Sequence, residues 1–167
     1  MKFNTYLENK NTLKVIHDTS IREVILEHKT LSRMGRLDTD SLLSLTDASL
    51  ELGFSPVLQW DILCTENNFE NCTKLLDELP LSKFAAIRVQ DIGAAEWVRH
   101  ELPKLPLHFI AETGNHNLTG LLRWHEHFGQ NLQRFVLSNE LPVSTLINHC
   151  RSLTVPCEIL TTGRILL

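Results

Sequence analysis

Short apolar runs recur along the chain, and the stretches between them carry apolar residues at helical spacing. Runs at residues 2–7, 23–27, 56–63, 85–90, 107–112, 133–137 and 156–161 have the length and the aliphatic content of strands. Of the intervening helices, the second is the clearest: Leu42, Leu43, Leu45, Leu50 and Leu52 give a stripe, Asp38 or Asp40 can cap its start, and Gly53 can close its end. The fifth is expected to present Leu118, Leu121, Leu122, His125 and Phe128, with Gly129 beyond it. The sixth starts at Pro142 and presents Leu146, Ile147, Cys150 and Leu153. A strand–helix unit repeated about seven times predicts an α/β fold with a parallel sheet.

Periodicity alone leaves two architectures open, a doubly wound sheet and a (β/α)-barrel. The glycines are dispersed, and no phosphate-binding fingerprint is present, which counts against a nucleotide-binding doubly wound sheet. Residues 1–167 contain no linker or low-complexity stretch and read as one domain.

Three strands run into polar clusters: Gln90-Asp91 after the fourth, Glu112-Thr113-Gly114-Asn115-His116-Asn117 after the fifth, and Ser138-Asn139-Glu140 after the sixth. A parallel α/β fold gathers such clusters at one edge, beyond the carboxyl ends of its strands, where ligands bind. Asp91 and Asn117 can serve as helix caps or as ligand contacts. Gln90 belongs to the strand itself, and a buried amide there needs partners, which favours a site role. Glu112 and His116 are the candidate acid/base pair, with a solvated loop as the alternative.

Arg33 follows a strand end, where its planar fork suits a carboxylate; it is the expected anion clamp, with little effect on stability. Arg88 lies between Ile87 and Val89, so it must either face a polar lumen or pair with a carboxylate. His125 and His127 are two apart on a helix and face different ways, so no metal site is expected there.

Composition narrows the function classes without choosing one. The 167 residues are 43% hydrophobic and 22% charged, with a net charge of −4 and pI ≈ 6.0. No dense Lys/Arg run marks a nucleic-acid surface; such a partner is left open but not indicated. No apolar run approaches a membrane span, and the N-terminus lacks a signal-peptide core, so a cytoplasmic location is expected. Cys64, Cys72, Cys150 and Cys157 show no CxxC spacing and read as buried thiols rather than metal ligands. No serine or cysteine has a recognisable nucleophile setting, and no HExxH motif occurs.

Several blocks resemble, in order, the collagenase-like peptidase family, peptidase family U32. Leu31-Ser32-Arg33-Met34-Gly35 with Asp40-Ser41-Leu42-Leu43 is similar to the family's arginine-bearing loop, and Trp60-Asp61-Ile62-Leu63 to its third-strand end, where asparagine is more usual than Asp61. Val89-Gln90-Asp91-Ile92-Gly93, Leu105-Pro106-Leu107-His108 and Asn115-His116-Asn117 form the strongest block. Val136-Leu137-Ser138-Asn139-Glu140-Leu141 resembles the sixth-strand motif, with Asn139 where arginine is common. Cys157-Glu158-Ile159-Leu160-Thr161-Thr162-Gly163-Arg164 resembles the run ending in the glycine after the seventh strand.

The resemblance implies an incomplete TIM barrel of about seven parallel strands, one short of the usual eight. Characterised relatives are oxygen-independent, prephenate-dependent hydroxylases of RNA bases or ubiquinone precursors, and the family label is peptidase. It further implies a small anionic metabolite as ligand, with Arg33, Asp61, Gln90, Asp91, Asn117, Asn139 and Glu140 as binding candidates and Glu112 and His116 as catalytic ones. The family's iron–sulfur cysteines follow the seventh-strand glycine, and none of the four cysteines here occupies those positions. The chain is therefore expected to lack its own cluster, as an N-terminal barrel portion or a short relative, and its enzyme status stays open. An unclosed barrel leaves a strand edge to be covered by self-association, a partner subunit or further sequence. A non-catalytic scaffold and a peptidase are the alternative functions.

Overall fold

The computed structural model describes residues 2–112 and 116–161. Its strands are β1 (Phe3–Tyr6), β2 (Ile21–Glu27), β3 (Ser55–Trp60), β4 (Ala86–Val89), β5 (Leu107–Ala111), β6 (Leu132–Leu137) and β7 (Cys157–Ile159). They pair in sequence order, every neighbouring pair parallel, in one sheet. Among the described residues six α-helices alternate with them: α1 (Lys10–Ile16), α2 (Thr39–Glu51), α3 (Glu66–Glu78), α4 (Ile92–Glu101), α5 (Leu118–Phe128) and α6 (Val143–Ser152). The seven expected strands are all present, and the sheet curls into an incomplete barrel, as the (β/α)-barrel expectation had it.

Local chemistry fixes where the helices begin and end. Asn9, Asp38, Thr65, Asp91 and Asn117 each accept a backbone N–H of the first turn, satisfying donors the helix cannot. Gly53 (φ 77°) and Gly129 (φ 55°) turn the chain after α2 and α5 in the left-handed region, where a side chain would be strained. Strand β3 ends at Trp60, short of the expected residue 63, because the N–H groups of Asp61 and Ile62 leave the ladder for the carbonyl of Leu31.

Alternate strand residues face the helices or the hollow of the curl. Val24, Leu26, Leu58, Trp60, Ile87, Val89, Leu107, Phe109, Phe135 and Leu137 form the core with buried helix residues such as Leu42, Leu76, Val98 and Leu121. Three helical stripes differ from expectation. Leu50 in α2 and Leu52 just after it are exposed; the buried face is Leu42, Leu45, Thr46 and Ser49. Both hydroxyls bond back to carbonyls one turn earlier, 2.8 and 2.7 Å away, so they can be buried with their polarity met. In α5, Leu122 is exposed; in α6, Ile147 and Cys150 are exposed, and His149 takes the buried position beside Leu146.

The other strand face is polar. Glu27, Gln59, Arg88, His108 and Arg134 are register partners in succession across β2 to β6. Where an ordinary barrel stacks branched aliphatics, this one carries a polar row. Among the described residues, no helix is long and apolar enough to cross a membrane.

Candidate functional site

The lower lumen is closed by ion pairs between strands that are not neighbours. Arg88 on β4 donates from Nη1 to Glu158 Oε1 on β7 at 2.6 Å, with both side chains largely buried. Arg134 on β6 donates to the other oxygen of Glu158 at 2.9 Å and grips Glu23 on β2 with both Nη atoms, Nη2 at 2.9 Å. Only side chains on the inside of a curled sheet can meet this way. Of the two readings open for Arg88 both hold: it faces the lumen and it pairs with a carboxylate. Burial pushes Glu158 up, but the two arginines outweigh it and hold the carboxyl below its ordinary range. His108, between them, is driven down to about 3 by burial and then by Arg134 and Arg88, so it is neutral.

Above this layer the 28–37 loop folds over the barrel mouth and presents Arg33. Loop geometry is set by short-range bonds: His28 and Leu37 form a bridge, Leu31 and Ser32 N–H groups both reach the His28 carbonyl at 3.0 Å, and Gly35 N–H reaches Ser32 O at 3.1 Å. Gly35 packs so closely that a Cβ there would lie 2.3 Å from the His28 carbonyl oxygen. Ser32 Oγ then donates to Gln59 O at 2.9 Å, and the buried Leu31 receives the Asp61 N–H.

Arg33 is consequently held in place. Its backbone N–H and its Nε donate to the two oxygens of buried Asp61, at 2.9 and 3.2 Å, and its Nη2 donates to Gln90 Oε1 at 3.0 Å. Glu112 Oε2 lies 4.0 Å from the same Nη2. The expectation that Arg33 matters little to stability is not met by this geometry: it joins the ends of β3 and β4, and its removal would leave Asp61 buried without its cation.

The remaining candidates divide by position. Asp91 caps α4 through Ala94 N–H at 2.9 Å and also accepts Cys64 N–H at 3.2 Å, so it ties the β3–α3 connection to α4. Asn117 caps α5 through Gly120 N–H at 2.7 Å and is exposed. Asn139 and Glu140 are exposed on the β6–α6 turn, where Glu140 N–H reaches Ser138 Oγ at 3.3 Å. Glu112 and His116 share no hydrogen bond or ion pair among the described residues, and residues 113–115, part of the same polar cluster, lie outside them, as do Thr162, Gly163 and Arg164 of the last motif. Burial raises the Glu112 carboxyl against the pull of Arg88 and Arg33.

Sequence reasoning missed Glu27. It sits on the polar row beneath the mouth, accepting from Gln59 Nε2 at 3.1 Å, and Gln59 Oε1 in turn accepts from Tyr6 Oη at 3.3 Å. Burial, and next the charge of Asp61, push its carboxyl up to about 7. The alternation Glu23-Val24-Ile25-Leu26-Glu27 contains the signal, since both acids share the parity of Ile25. Burial also pushes the thiols of Cys72 and Cys157 up to about 12.

The sequence model of peptidase family U32 matches residues 9–167. Among curated proteins none matches. The solved structure of the U32 peptidase Mk0906 superposes with a TM-score of 0.69 at 16% identity, covering 95% of this chain and 68% of that one. At that identity the likeness concerns the fold, and the Arg33 loop, the Gln90-Asp91 strand end and the seventh strand all fall inside the family match. The chain belongs to peptidase family U32.

Proposed function

We propose that the barrel mouth binds a small anionic metabolite through Arg33, as part of an oxygen-independent hydroxylation system acting on an RNA base or a quinone precursor. The observation that carries the binding step is the arginine's fixation: Asp61 and Gln90 orient the guanidinium before any ligand arrives, so little freedom is lost on binding. The hydroxylation context comes from the family's characterised relatives, with prephenate as the first ligand to try. In this reading Gln90 and Asp61 orient Arg33, Glu112 faces the ligand, and Asp91 and Asn117 hold the helix starts that frame it.

The iron–sulfur cluster of the family does not fit the cysteines present. Cys64 interacts with Cys72 and Cys150 with Cys157, two separate pairs, whereas a cluster needs four converging sulfurs. No step is assigned to a cluster on this chain. A scaffold or partner-subunit role is the second reading, favoured by the facing edges of β1 and β7, which pair only with β2 and β6 among the described strands. Cleavage by a cysteine nucleophile gains no support from Cys64, Cys72 or Cys157, whose thiols burial holds protonated.

Calorimetric titration with prephenate and related dicarboxylates tests the mouth. Arg33→Lys keeps the charge near Asp61 but loses the fork, and should bind at least tenfold more weakly than wild type, a loss of about 1.4 kcal/mol or more. Equal affinities, or no binding by either protein, would remove the clamp and leave the scaffold reading.

A further inference from the structure

Among the described strands β1 and β7 do not pair, and a cavity of about 110 Å³ occupies the seam between them. Strand β1 lines it with Asn4, Thr5 and Tyr6; Ile159 and Thr161 line it from the other side, and Arg88 reaches it from β4. Arg33 is not among its lining residues. The volume equals that of several waters, each about 30 Å³ in the liquid.

Arg88 is the unusual member. Its side chain is only 4% exposed, its guanidinium lies 5.9 Å over the Tyr6 ring, and Nη1 is bonded to Glu158. Nε is buried and has no hydrogen-bond partner among the described residues. A buried donor without a partner is rare in folded proteins and marks a place where something else supplies the acceptor. Charge points the same way, because the one carboxylate within ion-pair distance of Arg88 among the described residues is shared with Arg134, which also has Glu23.

We propose that the seam cavity is a binding site for a short-chain aliphatic monocarboxylate, whose carboxylate takes the open Nε edge of Arg88. An arginine edge presents parallel N–H groups that match the two oxygens of a carboxylate. Val136, Ile159 and Leu160 give the apolar surface for a short tail, and Thr5 and Asn4 offer polar groups beside the head. A phosphate or dicarboxylate would bring a second negative charge against Glu112 and Glu158, which also line the cavity. The site goes beyond the mouth and does not depend on Arg33.

The probes are propionate and its neutral isostere propionamide, followed by the arginine Nε–H resonances in ¹⁵N-resolved NMR spectra of the full chain. Propionate should shift one Nε–H saturably and bind at least tenfold more tightly than propionamide. Arg88→Lys should abolish that response, and Thr161→Phe, which crowds the cavity from an exposed position without touching the ion pairs, should weaken binding at least tenfold. Arg33→Lys should leave propionate affinity within twofold, so failure at the mouth and failure at the seam read out separately. If Arg88→Lys does not fold, Thr161→Phe decides. Equal binding of the two probes, no binding of propionate, unchanged affinity in Thr161→Phe, or loss in Arg33→Lys each overturns the assignment.

Discussion

Replacing Glu27 by Gln keeps the acceptor for Gln59 while removing the charge, so its effect isolates the electrostatics of the upper lumen. In the folded protein the carboxyl ionises at about 7 instead of 4.5, mainly through burial and then through Asp61, with Glu8 adding repulsion and Arg88 and Arg33 opposing it. The unfolded chain therefore loses this proton at lower pH than the folded one. Glu27 contributes nothing adverse below the ordinary carboxyl range, a growing penalty as pH rises toward 7, and a constant one above. Each tenfold in acidity is worth about 1.4 kcal/mol, which bounds the penalty at roughly 3 kcal/mol. Partial exposure of the side chain lets water screen it, so about 1–2 kcal/mol is expected. Urea unfolding at pH 5 and pH 8 measures it: Glu27→Gln should match wild type at pH 5 and exceed it by about 1–2 kcal/mol at pH 8. A difference that is the same at both pH values, or a variant less stable at pH 8, would show that Glu27 is not held in a charge-averse site.

Two further variants probe the frame around the site. Glu158→Ala strips the counter-charge from buried Arg88 and from one side of Arg134, and should cost about 3–5 kcal/mol in urea unfolding, with Glu158→Gln losing less. Gly35→Ala drives a methyl into the His28 carbonyl and should cost about 1–3 kcal/mol in the same assay while weakening any ligand that Arg33 binds, because the loop cannot yield without moving the arginine.

The fold was legible because its strands announce themselves. In β4 and β5 every residue is buried, and the apolar runs around Ile87-Arg88-Val89 and Leu107-His108-Phe109 are long enough to be read without a structure. Helix ends were legible for a related reason, since Gly53, Pro142 and Gly129 act through their own backbone and Asp38 through a carboxylate that reaches only three residues on, to the Ser41 N–H. Helix faces were read less well. Thr46, Ser49 and His149 are polar by type yet buried in context, which no apolar count detects. For the site, single residues could be flagged, but partners could not. Arg33 meets Asp61 across 28 residues through the pairing of β2 with β3, and Arg134 meets Glu23 across 111, a separation that the curl of the sheet removes.

Met and unmet polar groups lie side by side in the lumen. Buried ion pairs return little net stability, because desolvation offsets their attraction, so the presence of Arg88, Arg134, Glu23 and Glu158 is not explained by stability alone. Arg134, Glu23 and Glu158 are mutually satisfied, and they bind β2 to β6 and β7 across the hollow. Beside them the accounts do not close: Arg88 Nε and His108 Nδ1 are buried without a partner among the described residues, while burial raises the carboxyls of Glu27 and Glu112. Donors left unmatched in a polar lumen are what a ligand can complete, whereas a purely structural plug would match them internally. On that ground the proposed binding belongs to the Arg33 mouth and the Arg88 seam, while the pairs of Arg134 with Glu23 and Glu158 brace an unclosed barrel.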